Sequence, residues 1–164
     1  MSAFHAHSVK YRIGGGYAVS FHGQPCATKD MDLFIKADPT NAKAACAALV
    51  AFGAPLPDIS VGDLAAPRQF IRFGRELAAV DFLPGIDGVD FDAAWERRVE
   101  GVIDPQSGLT ALFISKDDLI ASKLVAGRLR DLAEVEDLRE ATESQGPQDA
   151  KKQPPKTRPS GSSF

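Results

Sequence analysis

The stretch from residue 13 to residue 35, IGGGYAVSFHGQPCATKDMDLFI, constrains the fold more than any other part of the chain. Gly14, Gly15 and Gly16 in a row carry too great an entropic cost for the interior of a helix or strand, so they read as a turn between two elements. Residues 10–13 before them read as a strand. Residues 17–22 after them read as a short helix with apolar Ala18, Val19 and Phe21, stopped by Gly23 and Pro25. A polar loop follows, and residues 31–36 resume as a strand with Asp30 and Asp32 at its mouth. Glycines allow backbone N–H groups to approach phosphates closely, and oxygen-only ligands such as Asp30 and Asp32 suit a hard cation like Mg2+, with Mn2+ as a substitute. The segment suits a nucleoside triphosphate held beside divalent metal.

Further along, residues 39–52 form an alanine-rich helix pattern with Pro39 in the first turn and Gly53 at its end. Residues 69–73 and 77–83 read as two strands joined by a tight turn at Gly74 and Arg75, a β-hairpin. Residues 91–98 read as a helix, and residues 99–103 and 109–114 as two more strands. Ser115 and Asp118 resemble a capping box with Asp in place of Glu, opening a helix that runs through Leu124. Residues 128–141 carry Leu129, Leu132, Val135 and Leu138 at spacings of three and four, a second helix. Strands in the middle and helices at the end predict an α+β fold, a mixed sheet with helices packed against it.

Carboxylates need context before they mean anything. With 15 aspartates in 164 residues, chance alone gives about one or two Asp-x-Asp pairs. Asp90 and Asp92 are such a pair, and Asp90 reads as the N-cap of the helix that follows. Asp30 and Asp32 differ, because side chains two apart on a strand share a face, about 6.5–7 Å apart at their Cα atoms. Carboxylates at that separation can converge on metals ~3.5–4 Å apart, and they stay ionised most easily with a cation between them. Met31 and Leu33 then point the other way, into the core. Asp81 interrupts an apolar run from Leu77 to Leu83, where a lone charge is costly. It is either the third oxygen ligand or a strand-end carboxylate facing water.

Other chemistries have little material. His5, His7 and His22 make a poor zinc site, and His5 and His7 fall in a stretch expected to fray. Cys26 and Cys46 lack CxxC spacing and read as buried thiols, with a bridge between them left open. No apolar run approaches the ~18 residues of a membrane span, and the first residues lack a signal-like segment, so a soluble cytoplasmic protein is expected. The net charge of −3 is uneven. Residues 1–143 form the expected domain, with 15 basic and 21 acidic side chains. Residues 144–164 carry Lys151, Lys152, Lys156 and Arg158 against Asp149. An acidic body argues against broad attraction of nucleic acid. The Pro- and Ser-rich tail has almost nothing to bury and is expected to be disordered.

With these residues in hand, the chain resembles the minimal nucleotidyltransferases of the polymerase-β-like superfamily, and is most similar to bacterial abortive-infection and toxin–antitoxin nucleotidyltransferases. Their pattern is a Gly-Gly or Gly-Ser turn, 9–13 residues, then Asp-x-Asp or Asp-x-Glu. Here Gly15 and Gly16 precede Asp30 and Asp32 by 13 residues. Many relatives also carry His-Gly-x-x-Arg-x-Thr-x-Asp, and this chain reads His22-Gly23-Gln24-Pro25-Cys26-Ala27-Thr28-Lys29-Asp30. A C-terminal match adds Lys123, then Ala126, Gly127 and Arg128, then Arg130 and Asp131. The resemblance covers roughly residues 10–141. Cys26 stands where relatives often have Arg, which removes a planar five-donor group. Leu129 replaces a common proline.

The resemblance implies a nucleotidyltransferase fold and transfer of a nucleoside monophosphate from an NTP to an acceptor hydroxyl of RNA, protein or a small molecule, with release of pyrophosphate. It implies two Mg2+ ions held by Asp30, Asp32 and Asp81, with Asp81 helping to activate the hydroxyl. Gly15, Gly16, Thr28 and Lys29 would meet the substrate, Lys123 and Arg128 its phosphates, and Asp131 would orient Lys123 or Arg128. It also implies a toxin–antitoxin type of protein partner. Plainer readings stand beside these. Lys123 and Asp131 can belong to exposed helix faces, Glu134 and Arg130 to surface i,i+4 pairing, Thr28 to a turn cap, and His22 to a helix end bonding carbonyls. The alternative function is a non-catalytic binding module on the same fold, an antitoxin-like partner or nucleotide sensor.

Overall fold

The computed structural model describes residues 1–54, 59–67, 69–74 and 79–144, apart from the side chains of 142–144. In chain order these form α1 (Ser2–Ala6), β1 (Tyr11–Ile13), α2 (Gly15–His22), β2 (Met31–Ile35), α3 (Pro39–Ala51), α4 (Val61–Ala65), β3 (Ile71–Phe73), β4 (Val80–Leu83), α5 (Phe91–Glu96), β5 (Val99–Asp104), β6 (Leu109–Phe113), α6 (Lys116–Ala126) and α7 (Leu129–Ser144). The fold is α+β, with one six-stranded mixed sheet in the order β3-β4-β2-β1-β6-β5. The pairs β1/β2, β3/β4 and β5/β6 are antiparallel, whereas β2/β4 and β1/β6 are parallel.

Alternation along the central strands sorts the side chains by face. Leu33 and Ile35 of β2 join Tyr11, Ile13 and Phe82 in a core closed by Phe4 of α1 and by Ala42, Ala45, Ala48 and Leu49 of α3. Alanines on α3 let that helix lie close to the sheet. Its N-cap is Asp38, whose carboxylate accepts from the Asn41 N–H at 2.8 Å, with Pro39 in the first turn. Asn41 is itself buried and bonds the Lys10 and Lys36 backbone, fixing the helix to both central strands.

Two short helices depart from expectation. Residues 2–6 do not fray: they form α1, because Phe4 packs edge-on to Tyr11 at 5.4 Å and stacks with Phe82, and His5 bonds the Tyr11 hydroxyl at 2.9 Å. Tertiary contact supplies what five residues of local propensity lack. The second, α4, carries a complete capping box between Ser60 and Asp63. The 69–73 and 77–83 strands do pair antiparallel, over β3 and β4. Their turn at Arg75 and the start of the second strand at 77–78 lie outside the described residues, as does the tail beyond Ser144. Among the described residues no helix is long and apolar enough to cross a membrane.

Candidate active site

Gly14 is the N-cap of α2 and Gly15 and Gly16 are its first residues, so the expected glycine turn is the opening turn of the helix itself, and it is built around a carboxylate. Gly14 N–H donates to the Asp32 carbonyl at 2.8 Å, which fastens the turn to β2. Gly15 has φ +54°, and a Cβ there would lie 1.6 Å from Asp32 Oδ2. A Cβ on Gly16 would lie 2.7 Å from the Thr28 Cβ. Both positions need glycine, first for the carboxylate and the loop against which they pack. Thr28 in turn donates to the Asp30 carbonyl at 3.2 Å, a local turn that delivers the chain into β2.

The loop between α2 and β2 is held from α2. Cys26 Sγ donates to the Gly16 carbonyl at 3.2 Å, and Cys26 N–H donates to Ser20 Oγ at 3.0 Å. The thiol thus tethers the loop to the start of the helix. Cys26 and Cys46 are both free. His22 uses Nε2 to bond the Ile114 carbonyl at 2.7 Å, and burial holds its pKa below the usual value. It is a joint between α2 and the end of β6, the plainer of its two readings.

Strand pairing sets the carboxylates. Asp32 and Asp81 are direct Cα partners on the parallel strands β2 and β4. Asp30 stands two residues earlier on the same side of β2. Asp81 is 5% exposed, so it does not face water as a strand-end carboxylate would. The Asp32 carboxyl is pushed up from its ordinary value by burial first, then by the charges of Asp81 and Asp30, with Lys123 and Arg128 pulling the other way. Among the described residues Asp32 is therefore an ionisable group without an ion-pair partner, facing two other anions.

The opposite wall comes from the α6–α7 hairpin. Gly127 ends α6 in the left-handed conformation, φ 62°, which turns the chain back toward the sheet. The Arg128 carbonyl accepts from Leu132 N–H, so α7 starts at Leu129 without the proline. Lys123 is 7% exposed, not a solvated helix lysine. Its Nζ reaches Asp131 Oδ1 at 3.4 Å and bonds Glu134 closely. Asp131 also takes Arg128 Nε at 2.6 Å, and Glu134 takes Arg130 Nε at 3.0 Å. Burial acts most strongly on Asp131 and raises its pKa, but Arg128 and Lys123 outweigh it and hold the carboxyl below its usual range.

These parts meet around one hollow of about 360 Å3, lined by Gly15, Gly16, Thr28, Asp30, Asp32, Asp81, Lys123, Arg128, Arg130, Asp131 and Glu134. Nine of these are residues that the sequence placed at the site. Lys29 does not join them; it is exposed and off the cavity wall. A larger hollow of about 730 Å3 beside Pro67 and residues 85–89 has, among the described residues, a single ionisable side chain, Asp87.

Three residues at or beside the hollow were not assigned to the site by the sequence, although Arg130 and Glu134 were read as a surface pair. Glu134 and Arg130 do pair at i,i+4, but Glu134 is turned inward onto Lys123; its spacing of three from Asp131 was the available signal. Arg72 of β3 is the third. Its Nε and Nη2 fork onto Asp81 at 2.9 and 3.1 Å, and Nη2 also reaches Asp30 Oδ2 at 2.5 Å. Arg72 and Asp81 are cross-strand partners, so the hairpin register held that information. The second Asp-x-Asp pair is structural: Asp90 caps α5 through Ala93 N–H at 2.8 Å, and Asp92 pairs with Lys36.

The corner formed by Asp30, Asp32 and Asp81 already attracts a cation, the Arg72 guanidinium, and its donors are all carboxylate oxygens, as Mg2+ prefers. With Arg72 in place, no three His, Cys, Asp or Glu among the described residues are gathered closely enough to hold a metal ion. The chemistry of the donor set suits the cation, and two of its three carboxylates are bonded to Arg72. A comparison of the chain with protein-family models and with curated proteins finds no match.

Proposed function

We propose that this cavity carries out metal-dependent nucleotidyl transfer from an NTP to an acceptor hydroxyl. The observation that supports the reading most is the convergence of a glycine turn, three carboxylates and a buried lysine on a single hollow, drawn from four separated parts of the chain. A bound Mg2+ would supply Lewis-acid activation of the hydroxyl and neutralise charge on the leaving group. Asp30, Asp32 and Asp81 are the residues that would hold it. The turn at Gly15 and Gly16 offers backbone N–H groups to the triphosphate. Lys123 and Arg128, kept in position by Asp131 and Glu134, present positive charge to the phosphates. The acceptor oxygen forms a bond to the α-phosphorus as the bridging bond to the β-phosphate breaks. Pyrophosphate leaves with that electron pair, and the Asp81 carboxylate, once released by Arg72, receives the hydroxyl proton.

Asp30→Asn and Asp32→Asn are expected to abolish turnover, by at least about 100-fold on the scale of a lost charge-stabilising group, with the circular dichroism spectrum unchanged. Transfer of label from an NTP at the wild-type rate by the double variant would falsify the mechanism. One observation favours a second reading, a binding module without catalysis: Arg72 satisfies Asp30 and Asp81 with no metal at all. Calorimetric titration with each NTP and Mg2+, followed by a screen of RNA and protein acceptors, separates the two. Binding without transfer to any acceptor supports the module.

A further inference from the structure

Arg72 makes no contact that transfer chemistry requires, yet it occupies the two carboxylates that chemistry needs most. Its planar fork covers both oxygens of Asp81, and its Nη2 takes one oxygen of Asp30. Among the described residues it is the one hydrogen-bond donor to the Asp81 side chain, which is otherwise buried. A metal bound to Asp81 seeks the same lone pairs, and two cations there repel each other. Asp32, the cross-strand partner of Asp81, forms no ion pair among the described residues.

The Arg72 side chain is 52% exposed on β3, at the sheet edge. Its exposed head has room to swing into water, whereas Asp81 cannot leave the sheet, so an incoming cation has to offset the charge that Arg72 leaves buried. Release would free Asp30 and Asp81 to turn toward Asp32, closing a set that is open while the guanidinium sits among them.

We propose that Arg72 is a built-in competitor of the divalent cation, an internal counterion that holds Asp30 and Asp81 until metal displaces it. The proposal rests on the reading of those carboxylates as metal ligands. Two ligands that exclude each other are linked reciprocally, so weakening one strengthens the other by the same factor. Arg72 thereby sets how much free cation the site needs before it fills.

The test is Mn2+ binding to the full chain, read from the electron paramagnetic resonance signal of free Mn2+ without any turnover. Arg72→Gln is expected to bind Mn2+ about ten-fold more tightly than wild type, within the usual range for coupling between two binding events. Arg72→Lys keeps the charge but cannot span two carboxylates, so it should fall between them, and it serves in place of Arg72→Gln should that variant fail to fold. Arg130→Gln, which removes an equal charge from the same cavity without touching Asp30 or Asp81, should change affinity less than two-fold. Equal Mn2+ affinity in wild type and Arg72→Gln overturns the competition and leaves the transfer reading standing. Equal tightening in Arg130→Gln also overturns it, because net charge alone then explains the gain. Absence of Mn2+ binding in every variant overturns both the competition and the assignment of the carboxylates.

Discussion

Gly15 concentrates the logic of the site in one residue. Its positive φ already disfavours any side chain by about 1–2 kcal/mol, and the Asp32 carboxylate fills the space a methyl group would need. Gly15→Ala therefore has to move the turn or the carboxylate. We expect it to lower unfolding free energy by at least about 1 kcal/mol, measured by urea titration, and to weaken NTP binding beyond what that loss of stability explains. Gly16 is a gentler case, because the atom it meets belongs to Thr28 on a loop. A Gly15→Ala variant with wild-type stability and wild-type NTP affinity would show that the close approach of turn and carboxylate has no consequence. Arg12 illustrates the opposite circumstance. It is fully buried between the rings of Phe34 and Phe91, with Nε and Nη1 unpartnered among the described residues, and burial lowers its pKa to about 10.

The α6–α7 hairpin is the element whose charges do the most. Lys123 lies under both Asp131 and Glu134, and each of those anions has a second partner, Arg128 or Arg130. Removing the lysine leaves one buried and one half-buried carboxylate short of a cation, though not bare. We expect Lys123→Met to destabilise by about 2–3 kcal/mol, the lower end for breaking a buried pair. A second change, Glu134→Gln, should return part of that loss, and strictly additive effects in a double-mutant cycle would contradict the coupling. Element by element, most of this architecture was legible in the sequence. All six strands followed from alternation and turn residues, α3 from Pro39 and Gly53, and α6 from Ser115 as its cap. Two helices were not, since α1 exists through the contacts of Phe4 and α4 is only five residues long. In the site, residues marked by a local pattern were legible: the glycines, the aspartates and Lys123. Arg72 and Glu134 were not, because their roles depend on which strand or helix lies across from them. Lys29 was expected at the site by its place in a motif, yet it points to solvent, as a lysine in an exposed loop is free to do.

At the scale of the molecule, three carboxylates pull stability in two directions with pH. Asp118 and Asp131 are both mostly buried, which by itself raises their pKa values. Arg97 and Ser115 on Asp118, and Arg128 and Lys123 on Asp131, more than reverse that effect. A carboxyl held lower in the folded state than its ordinary 3.8 adds stability above that pH, and the stability is lost as pH falls through the folded value. Asp32 has the opposite sign. Its folded pKa is raised, so the ionised form burdens the folded state at neutral pH, and the burden lifts as pH falls from the raised value toward 3.8. Asp32→Asn should therefore unfold at a higher urea midpoint than wild type at pH 7, while the two midpoints converge below about pH 4. Added Mg2+ should raise the wild-type midpoint and leave the variant's almost unmoved, because ligands that bind only the folded state stabilise it. The sheet and the helical hairpin are then holding a carboxylate where stability alone would not keep it, a trade expected of residues retained for function. A variant less stable than wild type at pH 7 would mean that Asp32 has a favourable partner in the folded protein, and that its position needs no function to account for it.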